Sequence, residues 1–449
     1  MTAPASETSP SRQPKHVLVV ALSFPPSAAA AALPTAHLAS YLHDHGWFAT
    51  FLTVHASRLR MPHAEGEGYP LPAEGIAVRR TRIVYPWDTL RRFRPRLPAR
   101  ATSVGEAAAA AGASPRRGSW PKLVLENALK LPDEFRGWVP FAAAAGRALA
   151  RERPVHCLYT VGPPMTGHVV GLRLHRRLRC PWVADFHDPW LANPWRKSDR
   201  PWPLQGIEER LEQAVMRSAD RFVTKTPEMA ELLSRTSGRP LRDFTVATGA
   251  YDAEEVQSVA AEVSRDRSRF VLIHAGHFYG PRSPAPLLHA LAQVANDPEL
   301  AGRLELRLVG GRSPAVDTLA RQLGIWSLVN QVGLVSHREV LRHLLGSDVA
   351  IIVQPDTWVQ VPAKLYEYLG CGVPVLALAG EGAAARVVRE AKAGLVVPPD
   401  DVGAIASALR TCLAQAESLR AGLDRDFIAQ FEVKRVVAKV AALLDELCP

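Results

Sequence analysis

The sequence predicts an α/β protein made of two doubly wound, Rossmann-like domains that face a cleft. Three observations carry this. Short apolar runs alternate with amphipathic helical runs along most of the chain, the order that builds parallel sheets covered by helices. The alternation restarts at Phe270 after a polar stretch, so the pattern occurs twice. The run from Val361 to Leu378 (VPAKLYEYLGCGVPVLAL) then reads as loop, short helix, glycine stop and buried strand.

The first half opens with an apolar strand, Lys15 to Leu22, followed by a turn at Ser23 to Ser27 and a helix from Leu33 to His45 that ends at Gly46. Phe48 to Val54 is the next strand, which completes a strand–loop–helix–strand opening. The stretch 58–117 is rich in Pro and Arg and is expected to be an irregular insertion. Helices are expected at Phe135–Arg151, Thr166–Leu178, Gly206–Ala219 and Pro227–Leu233. Strands are expected at Cys157–Val161, Trp182–Phe186, Arg221–Lys225 and Phe244–Ala247. In the helix at 206–219, Ile207, Leu211 and Val215 recur every four residues and mark its apolar face.

Residues 251–269 are polar and read as a linker. The second half then runs through strands at Phe270–Ala275, Leu304–Val309, Val329–Val332, Asp348–Val353, Val373–Leu378 and Gly394–Val397. Helices fall between them, and two more follow at Val402–Ala414 and Val433–Leu447. The expected organisation is a disordered tail over 1–14, a first domain over 15–250, a second domain over 270–425, and a terminal segment over 426–449 that packs back on the first domain.

Composition narrows the function classes. Hydrophobic residues make up 47% and charged residues 22% of the 449, as in an ordinary soluble globular protein. The five cysteines are odd in number and scattered, which argues against a disulfide framework and fits a reducing cytosol. The first residues lack the apolar core of a signal peptide, and no apolar run reaches the length of a membrane span. The net charge is +10, and ten arginines against four acidic residues lie between Arg58 and Arg100. Such a stretch suits anionic lipid headgroups or phosphorylated substrates, and a solvated loop accounts for it equally well. Nucleic acid is not expected, because no helix-turn-helix, finger or RNA-binding motif accompanies the charge.

In an open parallel sheet, ligands sit beyond the carboxyl ends of the strands. Four segments at such ends carry suggestive residues: Phe24, Pro25 and Pro26; Asp185 to Asp188; Gly276 to Arg282; and the start of the 361–378 helix. In that helix Lys364 and Glu367 are three apart and share a face, while Leu365 and Leu369 turn toward a core. Pro362 suits the first turn, and Gly370 and Gly372 suit a left-handed exit. The cation and the free N–H groups of a helix start suit a phosphate. The carboxylate suits a pair of sugar hydroxyls. Taken alone, such a pair is more commonly a solvated ion pair.

Read together and in order, these pieces resemble a GT-B glycosyltransferase of the large retaining group called family four. The matching segments are Phe24-Pro-Pro26, Gly162-Pro-Pro164, Asp185-Phe-His-Asp-Pro-Trp190, Leu211 to Thr226, Leu308-Val-Gly-Gly311, Gly333-Leu-Val-Ser-His337 and Pro362 to Leu378. The resemblance implies a nucleotide-sugar donor on the second domain. Glu367 would bind ribose hydroxyls, Lys364 and Arg282 would stabilise the diphosphate, and Gly276 and Val332 would complete the donor side. His187 stands at the position of the family's active-site histidine; Asp185 and Asp188 would act beside it, or only cap the following turn. Phe24, Pro25 and Pro26 would form an acceptor-side loop. The implied acceptor is a glycan, a lipid-linked precursor or a small molecule. No cofactor and no metal are expected, since two cations already face the diphosphate. The expected setting is the cytoplasm, with peripheral contact at an anionic inner membrane face as an option.

The sequence departs from the family at two points. The family often carries a second glutamate eight residues before Glu367, and Val359 stands there instead. The first loop, usually glycine-rich, is Ser27 followed by alanines to Ala32, and a Cβ makes close backbone approach harder. Two other readings follow: a nucleotide-sugar 2-epimerase on the same fold, and a catalytically inactive glycan- or nucleotide-binding partner subunit. The three tryptophans Trp190, Trp195 and Trp202 suit sugar stacking, a membrane surface or the packing of a long loop.

Overall fold

The computed structural model describes residues 14–27, 30–59, 71, 75–86, 88, 120–196, 200–297 and 302–449. Nearly all of the expected tail and most of the 58–117 stretch lie outside these residues.

Two parallel sheets form the molecule. The first contains β1 (Lys15–Val20), β2 (Trp47–Val54), β3 (Ile76–Thr81), β4 (Cys157–Gly162), β5 (Trp182–Phe186), β6 (Arg221–Thr224) and β7 (Phe244–Val246), in the order β3-β2-β1-β4-β5-β6-β7. The second contains β8 (Phe270–Ala275), β9 (Leu304–Val309), β10 (Val329–Gly333), β11 (Val349–Gln354), β12 (Val375–Ala379) and β13 (Gly394–Val397), in the order β10-β9-β8-β11-β12-β13. The order reverses between β1 and β4 and between β8 and β11, so each sheet has a switch point, where such folds bind ligands. The central strands are buried on both faces, which is why they read as unbroken apolar runs: β1 after Lys15, β4, β5 and β11 carry no exposed position.

Three local expectations are corrected. The stretch read as irregular contains β3, an edge strand paired in parallel with β2 from Ala49↔Ile76 to Val54↔Thr81. Its sequence, IAVRRT, is half-exposed and carries two arginines, so it lacks the apolar run that betrays a central strand. The stretch read as a linker holds a helix, Ala253–Ala260, capped by Asp252, whose side chain accepts from the N–H groups of Glu254 and Glu255. Its two buried residues, Val256 and Val259, are too few to stand out in a polar segment. In the helix Trp202–Ser218, Ile207 is 48% exposed; the buried face is Leu204, Glu208, Val215 and Met216.

The last helix, Val433–Leu447, returns to the first lobe. It buries Val433, Val436, Val437, Val440, Ala441, Leu443 and Leu444 in the same apolar cluster as Val17, Leu38, Trp47 and Tyr159. Trp47 donates its indole N–H to Asp445 at 3.1 Å, and Arg221 pairs with Glu446 at 2.8 Å. The two chain crossings lie side by side, since Tyr251 and residues 431 to 433 exchange backbone hydrogen bonds. Burying a large aliphatic side chain contributes roughly 1.5–3 kcal/mol, so this helix is a substantial clamp between the lobes.

Candidate active site

In the second lobe the site is built on strand ends. β8 finishes with His274 and Ala275, and Gly276 follows with φ +128°. A Cβ at Gly276 would stand 2.5 Å from the Lys364 ammonium, so glycine here makes room for that cation. Lys364 lies in the first turn of the helix Ala363–Gly370, and Pro362 stands just before that helix, one position earlier than the sequence suggested. Its Nζ donates to His274 Nε2 at 3.1 Å, while His274 Nδ1 bonds the Ile351 carbonyl at 3.0 Å. Burial and Lys364 hold the His274 pKa well down, so the imidazole is a neutral acceptor. Burial, then the nearby Arg282, push the Lys364 pKa down to about 7 against a partial offset from Glu367.

Arg282 follows the glycine turn and is 8% exposed. Its guanidinium donates to Gln354 Oε1 from Nε (3.1 Å) and Nη2 (2.6 Å), and to the Tyr279 hydroxyl. The Trp195 and Tyr279 rings each lie 4.6 Å from it. Trp195 belongs to the first lobe and donates to the Pro355 carbonyl at 3.1 Å, so it reaches across the cleft.

Glu367 sits one turn beyond Lys364. Its carboxylate bonds His337 Nε2 at 2.7 Å, and His337 Nδ1 bonds Glu255 at 3.1 Å. Burial alone would lower the His337 pKa, but the two carboxylates outweigh it and raise it to about 10. The helix exit also differs in detail from the sequence reading. Gly372 takes the left-handed φ of 67°, whereas Gly370 is needed for packing, because a Cβ there would lie 2.3 Å from Tyr251.

In the first lobe, Asp185 is the last residue but one of β5, with its side chain 2% exposed. It pairs with Lys225 at 2.9 Å and accepts from Tyr159 at 2.9 Å, and it lies 3.1 Å from His187 Nε2. Burial would raise its pKa, but Lys225 and His187 prevail and hold the carboxyl well below the usual range. Asp188 accepts from Gln360 Nε2 of the second lobe at 2.5 Å. A cavity joins the two sides; Asp185, Lys225 and Tyr159 line it with Ala363, the residue before Lys364, and with His37. Its apolar wall comes from Leu33, Leu38 and the last helix.

Two family models match these two lobes. Residues 269–415 match the model described as glycosyl transferases group 1, and residues 111–255 match glycosyltransferase family 4. Together they span about two thirds of the chain. The chain belongs to the GT-B glycosyltransferases of the family-four group. It is 29% identical over 266 residues to a D-inositol 3-phosphate glycosyltransferase of Geodermatophilus obscurus, covering 56% of this chain and 58% of that one. A second enzyme of the same name, from a Nocardioides species, is 29% identical over 219 residues, 44% of this chain and 47% of that one. The chain thus spans about half the length of these curated relatives. Among solved structures, sucrose-phosphate synthase from Thermosynechococcus elongatus superposes with a TM-score of 0.68 at 17% identity, covering 96% of this chain and 99% of that one. At that identity the likeness speaks for the GT-B fold alone.

Within this glycosyltransferase frame, the residues singled out from sequence fall into three groups. Gly276, Arg282, Lys364 and Glu367 form one continuous wall of the second lobe, and Asp185, His187 and Asp188 form a facing wall in the first. Val332 is half-buried against the second-lobe core, and Phe24 is 3% exposed and stacks on Phe51 at 4.5 Å. Pro25 is buried; Pro26 is exposed at the loop tip. The three tryptophans part ways: Trp190 is core and donates to Glu208, Trp195 crosses the cleft, and Trp202 is 75% exposed. Sequence reading missed Lys225, His274, His337, Gln354 and Gln360. A lone cation after the apolar end of β6, and a histidine inside the apolar β8, were the available signals for the first two. No helix among the described residues is long and apolar enough to cross a membrane, and no group of three or more His, Cys, Asp or Glu side chains among them is arranged to hold a metal.

Proposed function

We propose that this protein transfers a sugar from a nucleoside-diphosphate donor to an acceptor hydroxyl, with retention, in the assembly of a cell-surface glycan, glycolipid or polysaccharide. One observation carries the reading: a buried guanidinium, Arg282, and a half-buried ammonium, Lys364, stand at the carboxyl ends of the second sheet with a carboxylate one helical turn away. Two like charges held together largely out of water are costly unless an anion joins them. A diphosphate does so, and the negative charge that grows on it as the glycosidic bond breaks meets donors already in place. Glu367, with one oxygen held by His337, would turn the other to the ribose hydroxyls. His187 and Asp188, on the opposite wall, would face the sugar as it takes on positive charge.

With retention, the acceptor hydroxyl enters on the face the diphosphate leaves. The C1–O bond to the diphosphate breaks and one to the acceptor oxygen forms. The acceptor proton then passes to the departing phosphoryl oxygen, its nearest base. No side chain is assigned as a covalent nucleophile. Charge neutralisation by Arg282 and Lys364 makes a divalent metal unnecessary in this reading. The acceptor would enter the cavity between the Leu33–Tyr41 helix and the last helix, where Lys225 and His37 offer polar contacts beside an apolar wall. The D-inositol 3-phosphate glycosyltransferases name one polyol phosphate as a first acceptor to try. The exposed Trp120, Leu123, Leu125 and Trp202 favour peripheral contact with an anionic cytoplasmic membrane face, which co-sedimentation with anionic against neutral vesicles would test.

The deciding experiment incubates the protein with a panel of nucleotide sugars, with and without acceptors, in the presence and absence of EDTA. The expected result is acceptor-dependent release of nucleoside diphosphate that EDTA leaves unchanged and that Lys364→Met abolishes. Interconversion of the donor with no acceptor present would instead establish an epimerase. Full turnover by both Lys364→Met and Glu367→Ala would sink the donor assignment.

A further inference from the structure

We propose that the segment Gln354 to Gln360, together with Asp188 across the cleft, reads the donor sugar in place of the carboxylate absent at position 359, and that the sugar it reads is neutral and hydroxyl-rich. The proposal rests on the donor site described above. Val359 has no exposed surface and belongs to the first lobe's apolar cluster with Phe186 and Trp190. Its carbonyl accepts from Thr226 Oγ1 at 2.6 Å, which fixes the backbone there. The side chain at 359 is therefore an anchor between lobes, and contacts to a sugar must come from other residues.

Three polar side chains spaced three apart surround that anchor: Gln354, Thr357 and Gln360. Each holds a buried polar atom with no hydrogen-bond partner among the described residues, namely Gln354 Nε2, Thr357 Oγ1 and Gln360 Oε1. Their chemistry is set by the bonds they do make. Gln354 accepts twice from Arg282 through its oxygen, so its amide nitrogen is the free donor. Gln360 donates to the Asp188 carboxylate, so its oxygen is the free acceptor. Thr357 can do either. Buried polar groups require partners, and one donor, one acceptor and one amphoteric group in a row are matched by hydroxyls. A uronic carboxylate would leave Gln360 without a donor and would face Asp188. An ammonium sugar would leave Gln354 without an acceptor. Arg282, held by Gln354, places this row one group beyond the diphosphate, where the sugar begins. Asp356, with φ 55°, turns the chain between Gln354 and Thr357.

Titration calorimetry tests this with UDP, ADP and GDP and with their glucose esters, on the native protein and on Gln360→Ala and Thr357→Val. Loss of one hydrogen bond to the sugar is expected to weaken the nucleotide sugar roughly tenfold, with the matching diphosphate unchanged within about twofold. Equal weakening of both ligands would overturn the proposal and reduce Gln360 to a tie between lobes. No weakening of either would also overturn it, and would mean that water meets these atoms. Thr357→Val keeps shape and volume, so it answers the question even if Gln360→Ala fails to fold. If the native protein binds none of the three diphosphates, the donor site itself fails, and this proposal fails with it; that result is read before any variant is made.

Discussion

The two walls of the cleft treat charge in opposite ways. In the first lobe Asp185 is buried, yet Lys225, His187 and Tyr159 all converge on it, so the group is close to neutral as a whole. In the second lobe the half-buried Lys364 and the buried Arg282 sit among a neutral histidine, a glutamine and aromatic rings, while Glu367, one turn from Lys364, is already bonded to His337. The first arrangement is complete in itself and suits a rigid scaffold. The second has unspent positive charge and suits an incoming anion. That contrast separates what should fail first at each charge cluster: stability when Asp185 loses its charge, diphosphate binding and turnover when Lys364 or Arg282 does.

The largest effect is expected from Lys364→Met, which should lower kcat by about a hundredfold or more, as loss of a preorganised donor to developing charge typically does. The same change should leave the melting temperature equal or higher, because it removes a desolvated cation. Asp185→Asn should behave in reverse order. It strands Lys225 and His187 in a buried site, and breaking such a pair typically costs roughly 3–5 kcal/mol, readable by denaturant unfolding. If Asp185→Asn unfolds no earlier than the native protein, the contrast between the walls is broken.

The pH dependence sharpens the comparison. Lys364 in the free protein has a pKa pushed down to about 7, and an anion restores its charge. Diphosphate affinity should therefore fall as pH rises above about 7, and binding at pH 8 should take up a proton, measurable by calorimetry in buffers of different ionisation heat. His337 carries the opposite sign. Its folded pKa, raised to about 10, exceeds its ordinary 6.5, so its contribution to stability is full below 6.5 and is lost as pH rises through about 10. The stability difference between native and His337→Gln should shrink over that interval. The smallest effect belongs to the cleft's rim, where Arg386 of the second lobe pairs with Glu228 of the first at 2.6 Å. Glu228→Gln should cost no more than about 1 kcal/mol, and less in high salt, because the pair is partly exposed.

How much of this was legible beforehand varies with the physics of each element. Central strands such as β4, β5 and β11 were visible because burial on both faces leaves an uninterrupted apolar run. β3 was invisible because an edge strand half in water needs no such run, and Arg79 and Arg80 mask it. Lys364 and Glu367 were legible as a motif, because a helix start beside a strand end is local geometry, whereas Arg282 came from the family resemblance. The burial of the Phe24 ring on Phe51 was not legible, because the same apolar ring serves a loop facing a ligand and a loop facing a core. Gln360, Lys225 and His337 showed at most a residue type and not a role, since each acquires its role from a partner 172, 40 or 30 residues distant.

By itself, then, the chain's pattern determined two parallel sheets, their strand ends and the residue types waiting there, since periodicity and short-range geometry act within a few residues. Tertiary structure alone decided which charges are matched and which are left over. It turned Val359 into the first lobe's core, set Gln360 against Asp188, and gave Glu367 to His337. These pairings depend on how two sheets meet, and electrostatic and packing partners across such a contact are chosen by distance in space, which linear order does not encode.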